Sequence, residues 1–134
     1  MKAANDAPDS VYAYKPTSEV RSFGETLDHV AASQNGYCRV ALGEKPVGGG
    51  AGTGAKTRAE VIEALRQSNE LCARAYGQTE EATSRAAYEG DKRSRLYVLL
   101  ENAMHDNEHY GNIVTYLRLN HMVPPSSQPS PGKR

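Results

Sequence analysis

The sequence predicts an all-α fold. Apolar residues recur at helical spacing in three long segments, and no stretch alternates with period two over enough residues to make a strand. Cap residues, glycines and prolines also fall where those segments would begin and end. At 134 residues the chain reads as one domain, large enough to bury a core.

Residues 1–16 read as an irregular N-terminal entry, interrupted by Pro8 and Pro16, with Val11, Tyr12, Ala13 and Tyr14 as a short apolar patch able to lie against a helix. Thr17 or Ser18 is the expected N-cap of the first long helix, with Glu19 in the first turn where the helix dipole favours negative charge. Val20, Phe23, Leu27, Val30, Ala31 and Gln34 then recur at helical spacing as far as about Tyr37, with Gly36 as an end or kink point.

Residues 43–56 are glycine-rich and read as a flexible linker. A phosphate loop does not fit, because no Gly-Lys-Ser/Thr follows in register and no strand precedes. Thr57 and Glu60 form a capping box, which opens a second helix carrying Val61, Ile62, Leu65, Ser68, Cys72 and Tyr76 on its apolar face and ending at Gly77. Residues 78–91 are polar, with one helical turn expected over 79–84. The last and longest helix is expected from about Lys92 to Asn120, stopped by Pro124 and Pro125. The helical domain thus covers 17–123, and 124–134 form a Pro/Ser-rich tail of disordered composition.

The last helix has two faces, at about 100° per residue. One carries Leu96, Leu99, Leu100, Ala103, Asn107, Tyr110, Val114 and Leu117; the other carries Val98, Asn102, His105, His109, Asn112 and Tyr116. A helix so furnished has neighbours on both sides, which places His105 and His109 against another helix or a cleft. Three of the four histidines lie between positions 105 and 121. His105 and His109, four apart, stack on one helical face and can grip one divalent cation; otherwise they are solvated or core-edge histidines. Periodicity puts His29 opposite the Val20, Phe23 and Leu27 stripe, in solvent, unless the small Ala32, Ser33 and Gly36 let a second helix approach there.

Lys and Arg balance Asp and Glu at 16 each and are spread along the chain, so no nucleic-acid or acidic-membrane partner is indicated. No apolar run approaches the roughly 20 residues that span a bilayer, and the N-terminus lacks the apolar core of a secretory signal. The expected setting is therefore cytoplasmic. Cys38 and Cys72 could pair, but in such a chain they read as reduced and buried, and their spacing matches no zinc pattern.

The segment from Tyr14, Lys15 and Pro16 through residues 21–31, ending Leu27, Asp28, His29, Val30 and Ala31, resembles the helix that supplies the first histidine of DinB-like proteins. His105-Asp106-Asn107-Glu108-His109-Tyr110-Gly111, followed by Tyr116, Leu117, Arg118 and Val123-Pro124-Pro125, looks like that family's closing helix. The resemblance covers about residues 10–127. It implies an up-down four-helix bundle with a divalent metal such as Zn, Ni or Fe held by His29, His105 and His109, leaving His121 out. Members with known activity are thiol-dependent transferases or isomerases. Family members normally begin with a longer helix, so three long helices of an expected four are present here, and a homo-oligomer covering the vacant face is expected.

A three-histidine site leaves a position open to a small-molecule thiol or to water. Asp28, Asp106 and Glu108 adjoin the histidines and could orient an imidazole, and Asn102 and Tyr116 are candidates to line a pocket. The competing expectation is a non-catalytic metal-binding or oligomerising bundle. If the ligand assignment holds, the His29 ring nitrogen should lie about 3–3.5 Å from those of His105 and His109, the separations implied by metal–nitrogen bonds of roughly 2.0–2.1 Å.

Overall fold

Each long helix starts at a side-chain cap. The computed structural model describes residues 1–46 and 51–129. In order along the chain come α1 (Lys2–Asp6), α2 (Asp9–Tyr12), α3 (Phe23–Ala41), α4 (Arg58–Tyr76), α5 (Glu80–Ser84) and α6 (Arg95–Leu119), with a 3-10 turn at Pro125–Ser127. Among the described residues there is no strand, only an isolated bridge between Ala86 and Ser94. The fold is all-α, with three long helices.

α4 begins and ends as its sequence predicts. Thr57 accepts from the Glu60 amide, while Glu60 accepts from the Thr57 amide, and Gly77 follows the last turn. The short α5, capped by Thr79, is the expected single turn. α3 departs from expectation by starting at Phe23. The reciprocal box is made by Ser22 and Glu25, whose carboxylate takes the Ser22 amide at 2.7 Å. Thr17 and Ser18 have Val20 and Arg21 three residues on, so neither completes such a box. Gly36 lies inside α3 without ending it, and no atom approaches within 4 Å of the place its Cβ would take. α6 starts at Arg95, after Ser94 caps it through the Tyr97 amide at 3.1 Å.

Residues 1–16, expected irregular, contain α1 and α2. Ala3, Ala4, Ala7, Val11 and Tyr12 are buried against α3, α4 and α6. The end of α2 lies so close to α3 that a Cβ on Gly24 would sit 3.0 Å from the Tyr12 carbonyl oxygen. Pro124 is buried, and the Ser126 amide donates to the Tyr110 hydroxyl at 3.1 Å, so the start of the tail packs on α6.

α3 is central and packs along both α4 and α6. Gln34 meets Ser68, and one turn on Cys38 meets Cys72, so α3 and α4 run in the same direction, joined by the long 42–57 crossover. α6 runs against them: His29 meets His105, whereas Arg21 meets Tyr116 further along. Because Cys38 and Cys72 fall in one layer of this pair, they form a disulfide with Cα atoms 5.1 Å apart. This corrects the expectation of reduced thiols, though both are buried as expected.

The core is divided in two along the helices. One apolar cluster holds Phe23, Leu27, Val30, Val61, Leu65, Ile113 and Leu117; the other holds Cys38, Val40, Leu71, Cys72, Val98 and Leu99. Between them lies a polar layer in which Ser33, Gln34, Ser68, Asn102 and His109 are all buried. That layer also decides how α6 is turned. Leu96 and Leu100, expected to lead its apolar stripe, are 59% and 57% exposed, whereas Val98 and Asn102 are 0% and 1% exposed.

Candidate metal centre

The polar layer brings three imidazoles together. His29 reaches from α3, and His105 and His109 reach from α6 on successive turns. The Nε2 atoms of His29 and His105 are 3.1 Å apart, and so are those of His105 and His109. The ring centroids of His29 and His109 are 4.8 Å apart. One nitrogen from each ring fits within a set no wider than 4.8 Å. His29 is half-buried and faces α6, because α3 has a neighbour on each side. His121 stands outside this group, exposed just past the end of α6 with φ 58°.

Burial lowers the pKa values of His105 and His109 below the ordinary histidine range, and the neighbouring imidazoles push in the same direction. Both rings are therefore neutral near pH 7, the form that offers a lone pair to a cation. The donor set suits a borderline divalent ion, and two of its edges match the separation that metal–nitrogen bonds of about 2.0–2.1 Å impose.

The neighbouring carboxylates play other parts than orienting an imidazole. Asp28, buried beside His29, accepts from the Thr53 amide at 3.0 Å, the Gly54 amide at 3.3 Å and the Thr53 hydroxyl. The described part of the glycine-rich segment is therefore tied down onto α3, not a free linker; its residues 47–50 lie outside the described residues. Gly52 is required by this approach, since a Cβ there would lie 2.5 Å from Asp28 Oδ2. Asp106 Oδ2 accepts from Gln34 Nε2 at 2.9 Å, and Gln34 Oε1 accepts from the Ser68 hydroxyl at 2.6 Å. This chain ties α6, α3 and α4 together at the level of the histidines. Burial raises the Asp106 pKa, and the Gln34 hydrogen bond opposes that rise. Glu108 is exposed.

Sequence reasoning placed Gln34 and Ser68 on apolar helix faces and missed this chain. The available signal was a polar residue on an otherwise apolar stripe in each of two helices. Gly36, expected to permit close approach of a second helix, is exposed, with open space where a Cβ would stand, while Ser33 is buried. Asn102 donates to the Tyr76 hydroxyl at 3.1 Å, and Tyr116 donates to the Arg21 carbonyl at 2.9 Å. A cavity of about 580 Å³ borders His105 and is walled by Tyr37, Tyr97, Leu100, Glu101, Met104 and Glu108. Asn102 and Tyr116 are not among its lining residues.

Among the described residues, no helix is long and apolar enough to cross a membrane. No curated protein and no solved structure matches the chain. A family model, that of the DinB superfamily, matches residues 1–113. That match covers most of the 134 residues and includes all three clustered histidines, so the chain belongs to the DinB superfamily.

Proposed function

We propose that this protein binds one divalent metal ion through His29, His105 and His109 and uses it on a small thiol as an S-transferase or isomerase. The observation that carries the reading is the convergence of three Nε2 atoms from two helices, with the two facing contacts at 3.1 Å. A metal bound there would keep a position open and lower the pKa of a thiol or water bound to it. The chain's own groups supply the rest. Neutral imidazoles provide lone pairs, and the bond between Gln34 and Asp106 holds α6 in register with α3. The cavity beside His105 offers Leu100, Met104 and two tyrosines to an apolar body. Its charged lining residues are Glu101, which is paired with Arg93 at 2.9 Å, and Glu108, so the lining itself offers no unpaired cation to a polyanion.

Protein purified without a histidine tag should carry near-stoichiometric metal by mass spectrometry, with Zn, Ni or Fe as the expected ions. A substoichiometric content that excess metal does not raise would overturn the reading. A cytoplasmic location, expected from the composition, belongs with this proposal. The disulfide weighs against it, because reducing compartments keep thiols unpaired.

A second reading, a non-catalytic oligomerising bundle, is favoured by one observation. Leu96, Leu100 and Met104, spaced four apart on α6, are 59%, 57% and 67% exposed. Such a stripe fits a second copy of the chain better than it fits water. Sedimentation at micromolar concentration tests it: a homodimer supports it and a stable monomer removes it.

A further inference from the structure

A neutral imidazole carries one N–H and one lone pair. Each 3.1 Å contact, His29 to His105 and His105 to His109, therefore holds at most one proton. The far side of His109 selects among the arrangements. Its Nδ1 lies 3.4 Å from Asn112 Nδ2, an amide donor, so that ring nitrogen accepts. In metal-free protein the His109 proton then sits on Nε2, directed at His105 Nε2, which accepts in turn; a metal taken up by the three rings displaces that proton to Nδ1 or to solvent. The proton of His105 is left on Nδ1.

His105 Nδ1 is buried without a hydrogen-bond partner, and so is Asn102 Oδ1. Leaving a buried N–H unpaired costs about 1–3 kcal/mol. Asn102 lies three residues before His105 on the same face of α6, and helical side chains lean toward the preceding turn. Its Nδ2 is committed to the Tyr76 hydroxyl, which itself donates to the Leu99 carbonyl at 2.9 Å, and this fixes the amide orientation. Asp106 Oδ1 is also buried and unpartnered, but it follows His105 directly, about 100° around the helix. Its other oxygen is drawn toward Gln34 of α3.

We infer that Asn102 Oδ1 accepts the Nδ1 proton of His105 through one bridging water, and so fixes His105 as the ring whose Nε2 lone pair faces the other two histidines. Asn102 is a positioning residue that acts through His105. The inference deepens the three-histidine reading and rests on it, but its first readout is made in metal-free protein.

Long-range proton–nitrogen correlation spectra of metal-free protein labelled with ¹⁵N in the histidine rings should show His105 as the Nδ1–H tautomer. Asn102→Leu should turn it into a tautomer mixture and weaken zinc binding about 10–100-fold. Asn102→Asp, which keeps an acceptor, should restore both. Tyr76→Phe frees the Asn102 amide to turn and should shift part of His105 away from the Nδ1–H tautomer, whereas a merely structural role would lower stability in both variants and move the tautomer in neither. A wild-type His105 protonated on Nε2 overturns the inference, and that spectrum decides the matter even if Asn102→Leu does not fold. So does an Asn102→Leu protein that keeps the Nδ1–H tautomer with zinc affinity within about twofold of wild type. If the tautomer is as inferred but no zinc binds, the metal reading fails and the role of Asn102 stands.

Discussion

Removing the Cys38–Cys72 bond should destabilise the protein by an amount that chain statistics set. The bond joins residues 34 apart in sequence and ties α3 to α4 across the 42–57 crossover. Closing a loop of that length removes roughly 12–13 cal/mol/K of entropy from the unfolded chain, which is about 4 kcal/mol at 25 °C. Against a typical domain stability of about 5–15 kcal/mol this is a large share. The Cys38→Ala, Cys72→Ala protein also loses two buried sulfurs, and alanine is preferred to serine because no unpaired hydroxyl is then buried. Urea unfolding of oxidised wild type, reduced wild type and the double variant, followed by circular dichroism, measures the difference. The midpoint temperature should fall by roughly 10–20 °C on reduction. On α3, His29 sits about two and a half turns nearer the helix start than Cys38, so metal binding should survive at temperatures where the reduced protein stays folded. Two reactive thiols in native protein purified without reductant would refute the reasoning. So would reduced and oxidised forms agreeing within about 1 kcal/mol.

Other outcomes test the site and its surroundings. His105→Ala and His109→Ala should each lose most bound metal while helical content stays near wild type; unchanged metal by mass spectrometry in the double variant would show the ligands to be wrong. Asp28→Ala should remove the acceptor of the Thr53 and Gly54 amides, so hydrogen exchange at those two amides should become fast and stability should drop by about 1–3 kcal/mol. The folded pKa values of His105 and His109 are lowered, so the unfolded chain binds more protons just below pH 6.5. Metal-free protein should therefore lose stability as pH falls from about 7 through 6.5 toward the folded pKa values, and His105→Ala should flatten that slope. Leu100→Glu should shift any homodimer toward monomer in sedimentation without changing metal content.

Several features were legible in the sequence because they depend on residues within one turn of each other. The Thr57–Glu60 box, the Thr79 turn and the shared face of His105 and His109 are all of this kind. The start of α3 was legible in principle, since Ser22 and Glu25 carry the same box, but the earlier Thr17, Ser18 and Glu19 carry a weaker version of it. His29 came from family resemblance and against amphipathic periodicity. Periodicity assumes one buried face, and α3 has two neighbours.

The turn of α6 needed the tertiary structure for a different reason. Its buried face carries Asn102, His105, Asp106 and His109 in the middle, whereas Leu96, Leu100 and Met104 stand outside. Hydrophobic spacing reads the leucines as the inner face because it cannot see that Gln34, Ser68 and Tyr76 from other helices supply hydrogen bonds to a buried polar layer. The disulfide likewise required the relative direction of α3 and α4, which decides that Cys38 and Cys72 share a layer. Caps and helix-face spacings are settled by contacts within about four residues. Which faces meet is settled only when a second helix arrives, since hydrogen bonds and packing between distant segments determine which polar groups can be buried.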